Sequence, residues 1–288
     1  MTHSKPGAAS AFVLLVLAGL GLGGCRGSVS TDLSADAPAN PQIVGINVGV
    51  LGVEFQRSDA TAAKIEFTTA EPADLITLLE DNSFRLFTDE ELTEGSYTGV
   101  RLLLEDNDDA SVVLTDGTEF PLRLTEGSYA AVDFTVDEDR SSNRSLVLTL
   151  DLRKSLSFNE DGREYALTPT LRAVDAADAG QIRGNVDITC PAGTSPQTGG
   201  AVYAFAGEDI EPVEIDGIDT EPYATTAMLS SFGGPLTYAL RALPPGDYTI
   251  ALTCNGNDDT PAAGDDIQFQ RAVNVSVDGD AITYNFTN

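Results

Sequence analysis

From about residue 33 onward the chain is a succession of short alternating or apolar runs, each closed by Gly, Asn, Asp or Pro. Runs at 43–55, 64–67, 97–104, 111–114, 120–124, 129–136, 146–152 and 165–174 read as strands, because side chains repeating with a period of two share one face of a pleated sheet. Asp116-Gly117 between two of them is a hairpin signal, since a type I′ turn needs positive φ at both central residues. Asn107-Asp108-Asp109 closes a longer loop. Residues 72–79, with Leu75, Ile76, Leu78 and Leu79, serve equally as a short helix or a buried strand. Strand runs at regular spacing, without a sustained helical period, specify an all-β sandwich or barrel.

One hexapeptide, Leu-Thr-Glu-Gly-Ser-Tyr, occurs at 92–97 and again at 124–129, and a relative, Leu-Pro-Pro-Gly-Asp-Tyr, at 243–248. What lies between the copies does not repeat, so this is not a solenoid. The shared element is Gly two residues before Tyr, a permissive turn followed by an aromatic that opens a strand. After the first two copies the even-numbered residues are apolar; in the third, Tyr248, Ile250 and Leu252 share one apolar face, which points Tyr248 inward. Arg101 and Asp133 stand four residues after Tyr97 and Tyr129, opposite the apolar faces of their strands, and Asp151 is another candidate partner for Arg101. These three residues form either a polar ligand face or, more plainly, a structural ion pair or solvated sheet face, worth little if exposed.

The first residues read as a secretory signal. Lys5 supplies a weakly basic start, and residues 11–22 are apolar but too few to span a bilayer. They end in Leu22-Gly23-Gly24-Cys25, which resembles the lipobox of bacterial lipoproteins. The resemblance implies cleavage after residue 24 and acylation of Cys25, with several acyl chains anchoring the protein stably. Arg26 in place of Asp implies, by resemblance to the sorting rule of Gram-negative lipoproteins, the outer membrane, facing either the periplasm or the surface. Residues 25–32, rich in Ser, then read as a lipidated tether. With Cys25 assigned to lipid, Cys190 and Cys254 remain, each at the end of an alternating strand, and pair as one disulfide in an oxidising compartment; two free buried thiols are the alternative.

Loss of residues 1–24 removes Lys5 and no acid, taking the net charge from −29 to about −30. So acidic a chain repels phosphate backbones, which argues against nucleic acid as a partner and against charge-driven adhesion to an anionic leaflet. The expected partners are the membrane, through lipid, and an envelope protein or glycan. An apolar content of 42% is enough for real cores.

The only histidine is His3, inside the signal segment, so the mature chain has no Ser-His-Asp, Cys-His or histidine-metal chemistry. Neither a phosphate-binding loop nor a dinucleotide fingerprint is present. Paired carboxylates, as in glycoside hydrolysis, are the remaining enzymatic option, and among 45 acidic residues pairs arise by chance. The expectation is a protein that is not an enzyme and has no cofactor. Structural calcium would find oxygen ligands in loops 105–109 and 255–259 with Asp265 and Asp266, against solvated turns as the default. Carbohydrate binding would need an aromatic platform. The chain has no Trp, leaving Tyr203, Phe205, Tyr223, Phe232 and Tyr238 as a small face or as core.

Two resemblances divide the mature chain. Residues 179–288 carry Gly180-Gln181-Ile182-Arg183-Gly184, Ala201-Val202-Tyr203-Ala204-Phe205 and Leu243-Pro244-Pro245-Gly246-Asp247-Tyr248. These resemble the carboxypeptidase-regulatory, transthyretin-like β-sandwich, a module that implies a fold and no particular function. Residues 33–178 carry Asp36-Ala37-Pro38, Gly95-Ser96-Tyr97 before Val100-Arg101-Leu102, Leu150-Asp151 before Ser155, and Tyr165-Ala166-Leu167-Thr168-Pro169 before Leu171-Arg172. In that order they resemble a bacterial lipoprotein family known as domain of unknown function 4382, which implies architecture and envelope location but no catalytic residue. The expectation is two β-sandwich-like domains in tandem behind a lipoprotein signal peptide, acting without catalysis as a binding or scaffolding module.

Overall fold

The computed structural model describes residues 27–58, 60–106, 108–137, 142–218, 220–230, 234–262 and 264–288. The expected signal segment and lipidated Cys25 lie outside the described residues. The first unit contains β1 (Gly27–Asp36), β2 (Ile43–Arg57), β3 (Ala63–Asp74), β4 (Phe84–Leu92), β5 (Gly95–Leu104), β6 (Ser111–Leu114), β7 (Glu119–Leu124), β8 (Ala130–Val136) and β9 (Asn143–Asp151). A one-turn helix α1 (Leu152–Ser155) leads to β10 (Leu156–Asn159), β11 (Glu164–Leu167) and β12 (Leu171–Asp175). The protein is all-β, as its alternating runs require.

A four-stranded sheet, β12-β9-β1-β4, and an eight-stranded sheet, β10-β11-β7-β6-β2-β5-β8 with β3 on β2, close on one core. Val29, Leu33, Leu148 and Leu150 fill it from the smaller sheet; Ile46, Val53, Phe55, Val100 and Val112 fill it from the larger. Each of these side chains is fully buried.

β1 corrects the expectation of a tether at 25–32. It lies inside the sheet, parallel to β9 from Ser28↔Asn143 to Asp36↔Asp151 and antiparallel to β4 on its other side. Val29, Thr31, Leu33 and Ala35 point into the core, while Ser34 meets the Thr149 hydroxyl at 3.0 Å on the opposite side. The Ser-rich composition reflects polar groups paired within the sheet rather than solvated chain. Residues 72–79 resolve into both options: β3 runs to Asp74, whose side chain caps a 3₁₀ turn over Leu75–Leu78 by accepting the Ile76 N–H at 3.0 Å. The run 165–174 divides at Pro169, which has no N–H to donate; β11 and β12 belong to different sheets.

The second unit contains β13 (Gly180–Asp187), a short helix α2 (Pro196–Gly199), β14 (Ala201–Ala206), β15 (Ala224–Ala227), β16 (Leu229–Ser230), β17 (Leu236–Leu243), β18 (Gly246–Thr253), β19 (Phe269–Val277), β20 (Ala281–Thr283) and β21 (Phe286–Thr287). The sheet β16-β17-β13-β20, with β21 also on β13, packs against β15-β14-β18-β19. Gly184 is required where β13 passes the last strands: a Cβ there would lie 1.7 Å from the Tyr284 carbonyl oxygen. β14 is buried on both faces, because a second small cluster of Tyr203, Phe205 and Ala251 packs under Ile210 and Val213. Cys190, just beyond β13, and Cys254, just beyond β18, form the disulfide with Cα atoms 5.9 Å apart.

Candidate functional site

The strand-entry motif takes two forms. Tyr97 and Tyr248 are both buried, and each hydroxyl donates to the carbonyl four residues upstream, Thr93 at 2.6 Å and Pro244 at 2.8 Å. Tyr97 turns inward although its strand's even-numbered residues also do, because a bulge between Tyr97 and Gly99 shifts the phase. In the middle copy the turn is spent differently. A Cβ at Gly127 would lie 2.3 Å from the Pro169 carbonyl, so the backbone packs on the crossover between sheets. Tyr129 then stays half-buried, its ring 4.7 Å from the Arg101 guanidinium.

That guanidinium has partners other than those the spacing suggested. Glu54 stands opposite Arg101 in the β2–β5 register and accepts from Nε at 2.9 Å and Nη2 at 2.5 Å; Glu126 accepts from Nη1. Burial pushes the Glu54 carboxyl up, but hydrogen bonds from Arg101 and Tyr129 and the Arg101 charge outweigh it, and the group lies below its ordinary range. Asp133 is exposed on a stretch of β8 that runs beside Tyr97–Gly99, past the bulge from Arg101. Asp151 is buried elsewhere, at the end of β9. Arg101, Asp133 and Asp151 therefore do not form one ligand face. Arg101 is a structural ion pair whose partner, Glu54, becomes visible only once strand register is known.

A polar cluster built around α1 lies at the seam between the two units. Asp151 caps this turn, accepting the Lys154 N–H at 3.1 Å, and the Ser155 hydroxyl donates back to the Asp151 carbonyl at 2.5 Å. The turn and β12 aim three cations of the first unit at main-chain carbonyls of the second. Arg153 Nη1 donates to Gly256, Lys154 Nζ to Pro222 at 2.9 Å, and Arg172 Nη2 to Arg241 at 3.0 Å. Arg172 also holds Asp36 with Nη1 at 2.5 Å, and Thr225 donates to Asp151 at 3.4 Å. Arg241 returns the contact, reaching Asp81 at 2.8 Å.

Burial sets the electrostatics here. It raises Asp36 to about 6, against the lowering effect of Arg172 and with the Asp151 charge adding to the rise. Asp259 is likewise raised to about 6 by burial, although the Tyr203 hydroxyl and the Ile215 N–H donate to it. The Tyr203 hydroxyl is pushed far above its usual range, chiefly by burial. The sequence offered one signal for this seam: two adjacent cations, Arg153 and Lys154, directly after an apolar strand in a strongly acidic chain.

The other candidate sites dissolve into structure. Tyr203, Phe205 and Tyr238 are buried and Tyr223 is half-buried, so they form no aromatic platform; Phe232 lies outside the described residues. Of the second oxygen-rich loop, Asp259 turns inward to Tyr203 and Asp265 accepts from the Thr260 N–H and hydroxyl at 2.8 Å. Among the described residues no group of three or more His, Cys, Asp or Glu side chains converges. Among the same residues no helix is long and apolar enough to cross a membrane.

Fold and seam together describe a tandem all-β protein whose buried charges join its units. The chain belongs to the family described as domain of unknown function (DUF4382), whose model matches residues 26–169. No curated protein matches its sequence. Among solved structures it is similar to the Bacillus anthracis TIE protein, at 9% identity and TM-score 0.19 over 91% of this chain and 34% of that one. It is also similar to a minor pilin, GBS52, of Streptococcus agalactiae, at 11% identity and TM-score 0.22 over 91% of this chain and 95% of the pilin. The fimbrial anchor protein Mfa2 of Porphyromonas gingivalis gives 11% identity and TM-score 0.18 over 79% of this chain and 78% of that one. The chain thus spans about a third of the first of these, and likeness this distant carries no assignment of function.

Proposed function

We propose that this protein is a non-catalytic module of the Gram-negative cell envelope, held at the outer membrane by lipid on Cys25 and acting there as a binding or scaffolding element. The observation that carries this reading is how the buried charges are used. Arg172, Lys154 and Asp151 are committed to partners that join the two units, and Arg101 is tied to Glu54 and Glu126. Charges placed this way hold two sandwiches together; they do not present an acid and a base to a substrate. The Leu-Gly-Gly-Cys sequence closing a short apolar segment supports the anchor. Gly184 and the Pro244-Pro245-Gly246-Asp247-Tyr248 turn support reading the second unit as a carboxypeptidase-regulatory-like module.

Membrane partitioning of a Cys25→Ser variant tests the anchor. The variant is expected in the soluble fraction and the parent chain in the membrane fraction; a variant that stays with the membrane sinks lipidation at this residue. Affinity capture from intact envelope, with the Cys25→Ser chain as bait, tests the binding role.

A further inference from the structure

Among the described residues Arg153 is the seam cation without a contacting carboxylate, although its charge acts at longer range on Asp259. It is 2% exposed, yet among the described residues no carboxylate lies within ion-pairing distance of it. Its Nη1 donates to the neutral Gly256 carbonyl, its guanidinium carbon lies 5.6 Å from the centre of the Tyr203 ring, and its Nε–H has no partner. Arg172, also buried, leaves Nε open too, but its charge is met by Asp36 at contact distance. The acids nearest Arg153 are engaged elsewhere: Asp259 by Tyr203 and Ile215, Asp151 by its own helical turn and Thr225. A buried guanidinium that no carboxylate touches is costly even with the Asp259 charge nearby, and an open donor adds to that cost.

Arg153 also lines a cleft of about 260 Å³ between the two units. Ile43, Ile76 and Leu79 of the first unit and Met228 and Leu229 of the second form its apolar walls, and Asn257 stands with Arg153 as a polar element. Leu229, on the short β16, is 36% exposed at its rim. Clefts between units with apolar walls and one charged group are where small ligands are commonly held, the apolar part giving affinity and the charge giving orientation.

We propose that this cleft binds a small amphipathic anion, a monocarboxylate whose head meets the Arg153 guanidinium and whose unbranched apolar tail lies along Ile76, Leu79, Met228 and Leu229. This deepens the binding role proposed above and is independent of the lipid anchor. The carboxylate gives Arg153 the contacting anion that it lacks, in a charge-assisted hydrogen bond at the edge of the guanidinium that faces the cleft.

Calorimetric titration of the full chain carrying Cys25→Ser with octanoate tests the site, with octan-1-ol and octylammonium as neutral and cationic controls of equal length. Octanoate is expected to bind with one site per chain, and both controls roughly tenfold more weakly or worse. Leu229→Glu, at the exposed rim, introduces a competing carboxylate and is expected to abolish octanoate binding while leaving the circular dichroism and the disulfide intact. Absence of octanoate binding, equal binding of octan-1-ol, or parent-like binding by a folded Leu229→Glu chain each overturns the proposal. Because the titration uses a chain without the lipid cysteine, its failure is separate from failure of the anchor.

Discussion

Arg172 and Asp36 stand 136 residues apart in sequence and 2.5 Å apart in the fold, and the same guanidinium reaches on to the Arg241 carbonyl of the second unit. One side chain thus ties β12 to β1 across β9 within the smaller sheet and fastens the second unit to it. Removing one member of a buried pair leaves the other charged and unpaired, which costs about 3–5 kcal/mol. Arg172→Met is therefore expected to lower stability by that order in urea unfolding. A loss under 1 kcal/mol would mean the pair is solvated in solution.

Asp36 and Asp259 predict an acidic optimum. Each is raised to about 6 from the ordinary aspartate value of 3.8. Between those values the folded chain holds protons that the unfolded chain has released, so the contribution to stability is full at low pH and is lost as pH rises through about 6. The unfolding midpoint should be higher at pH 5.5 than at pH 7.5, and Asp259→Asn should flatten this dependence. Glu54 has the opposite sign: its lowered carboxyl contributes stability above its unfolded value, which is lost on further acidification. A midpoint that rises steadily from pH 5.5 to 7.5 would contradict the assignment.

The two inward tyrosines should behave alike. Tyr97→Phe and Tyr248→Phe each remove a hydroxyl bonded to a buried carbonyl and are expected to cost about 0.5–1.5 kcal/mol. Tyr129→Phe leaves the ring on Arg101 and removes a half-exposed hydroxyl that donates to Glu54, a solvent-shared bond expected to cost no more than about 0.5 kcal/mol. Chemical denaturation of the three variants checks the pattern, and an equal loss at all three would show that the copies are equivalent after all.

Reduction of Cys190–Cys254 opens a loop of 64 residues' separation. In the chain-entropy account such a loop contributes about 4 kcal/mol, so Cys190→Ala with Cys254→Ala should lower the melting midpoint clearly. An unchanged midpoint would show the bridge to be dispensable.

Much of this was legible in the sequence, and the failures share a cause. Alternation located most strands, and cysteine counting found the Cys190–Cys254 pair. β1 was missed because Ser30 and Ser34 look solvated until their partners Asp89 and Thr149 are placed beside them. β4 was missed because its acidic run, Asp89-Glu90-Glu91, hides the pairing of its backbone with β1. Arg101 was noticed but given the wrong partners, since equal offsets in two strands do not survive the bulge between Tyr97 and Gly99. Of the seam, the sequence shows the adjacent cations Arg153 and Lys154 but not what they reach. Three of its donors, on Arg153, Lys154 and Arg172, meet carbonyls, which every residue carries, so side-chain identity alone cannot name those acceptors.

The position of β1 has a mechanical consequence. The strand starts two residues after Cys25 and is hydrogen-bonded on both sides, to β9 over nine register pairs and to β4 across from it. Tension entering at Gly27 along the strand loads both ladders in shear, so their bonds must yield together rather than peel one at a time. Under the proposed lipid anchor at Cys25, the end held at the bilayer is an end built to bear a pull.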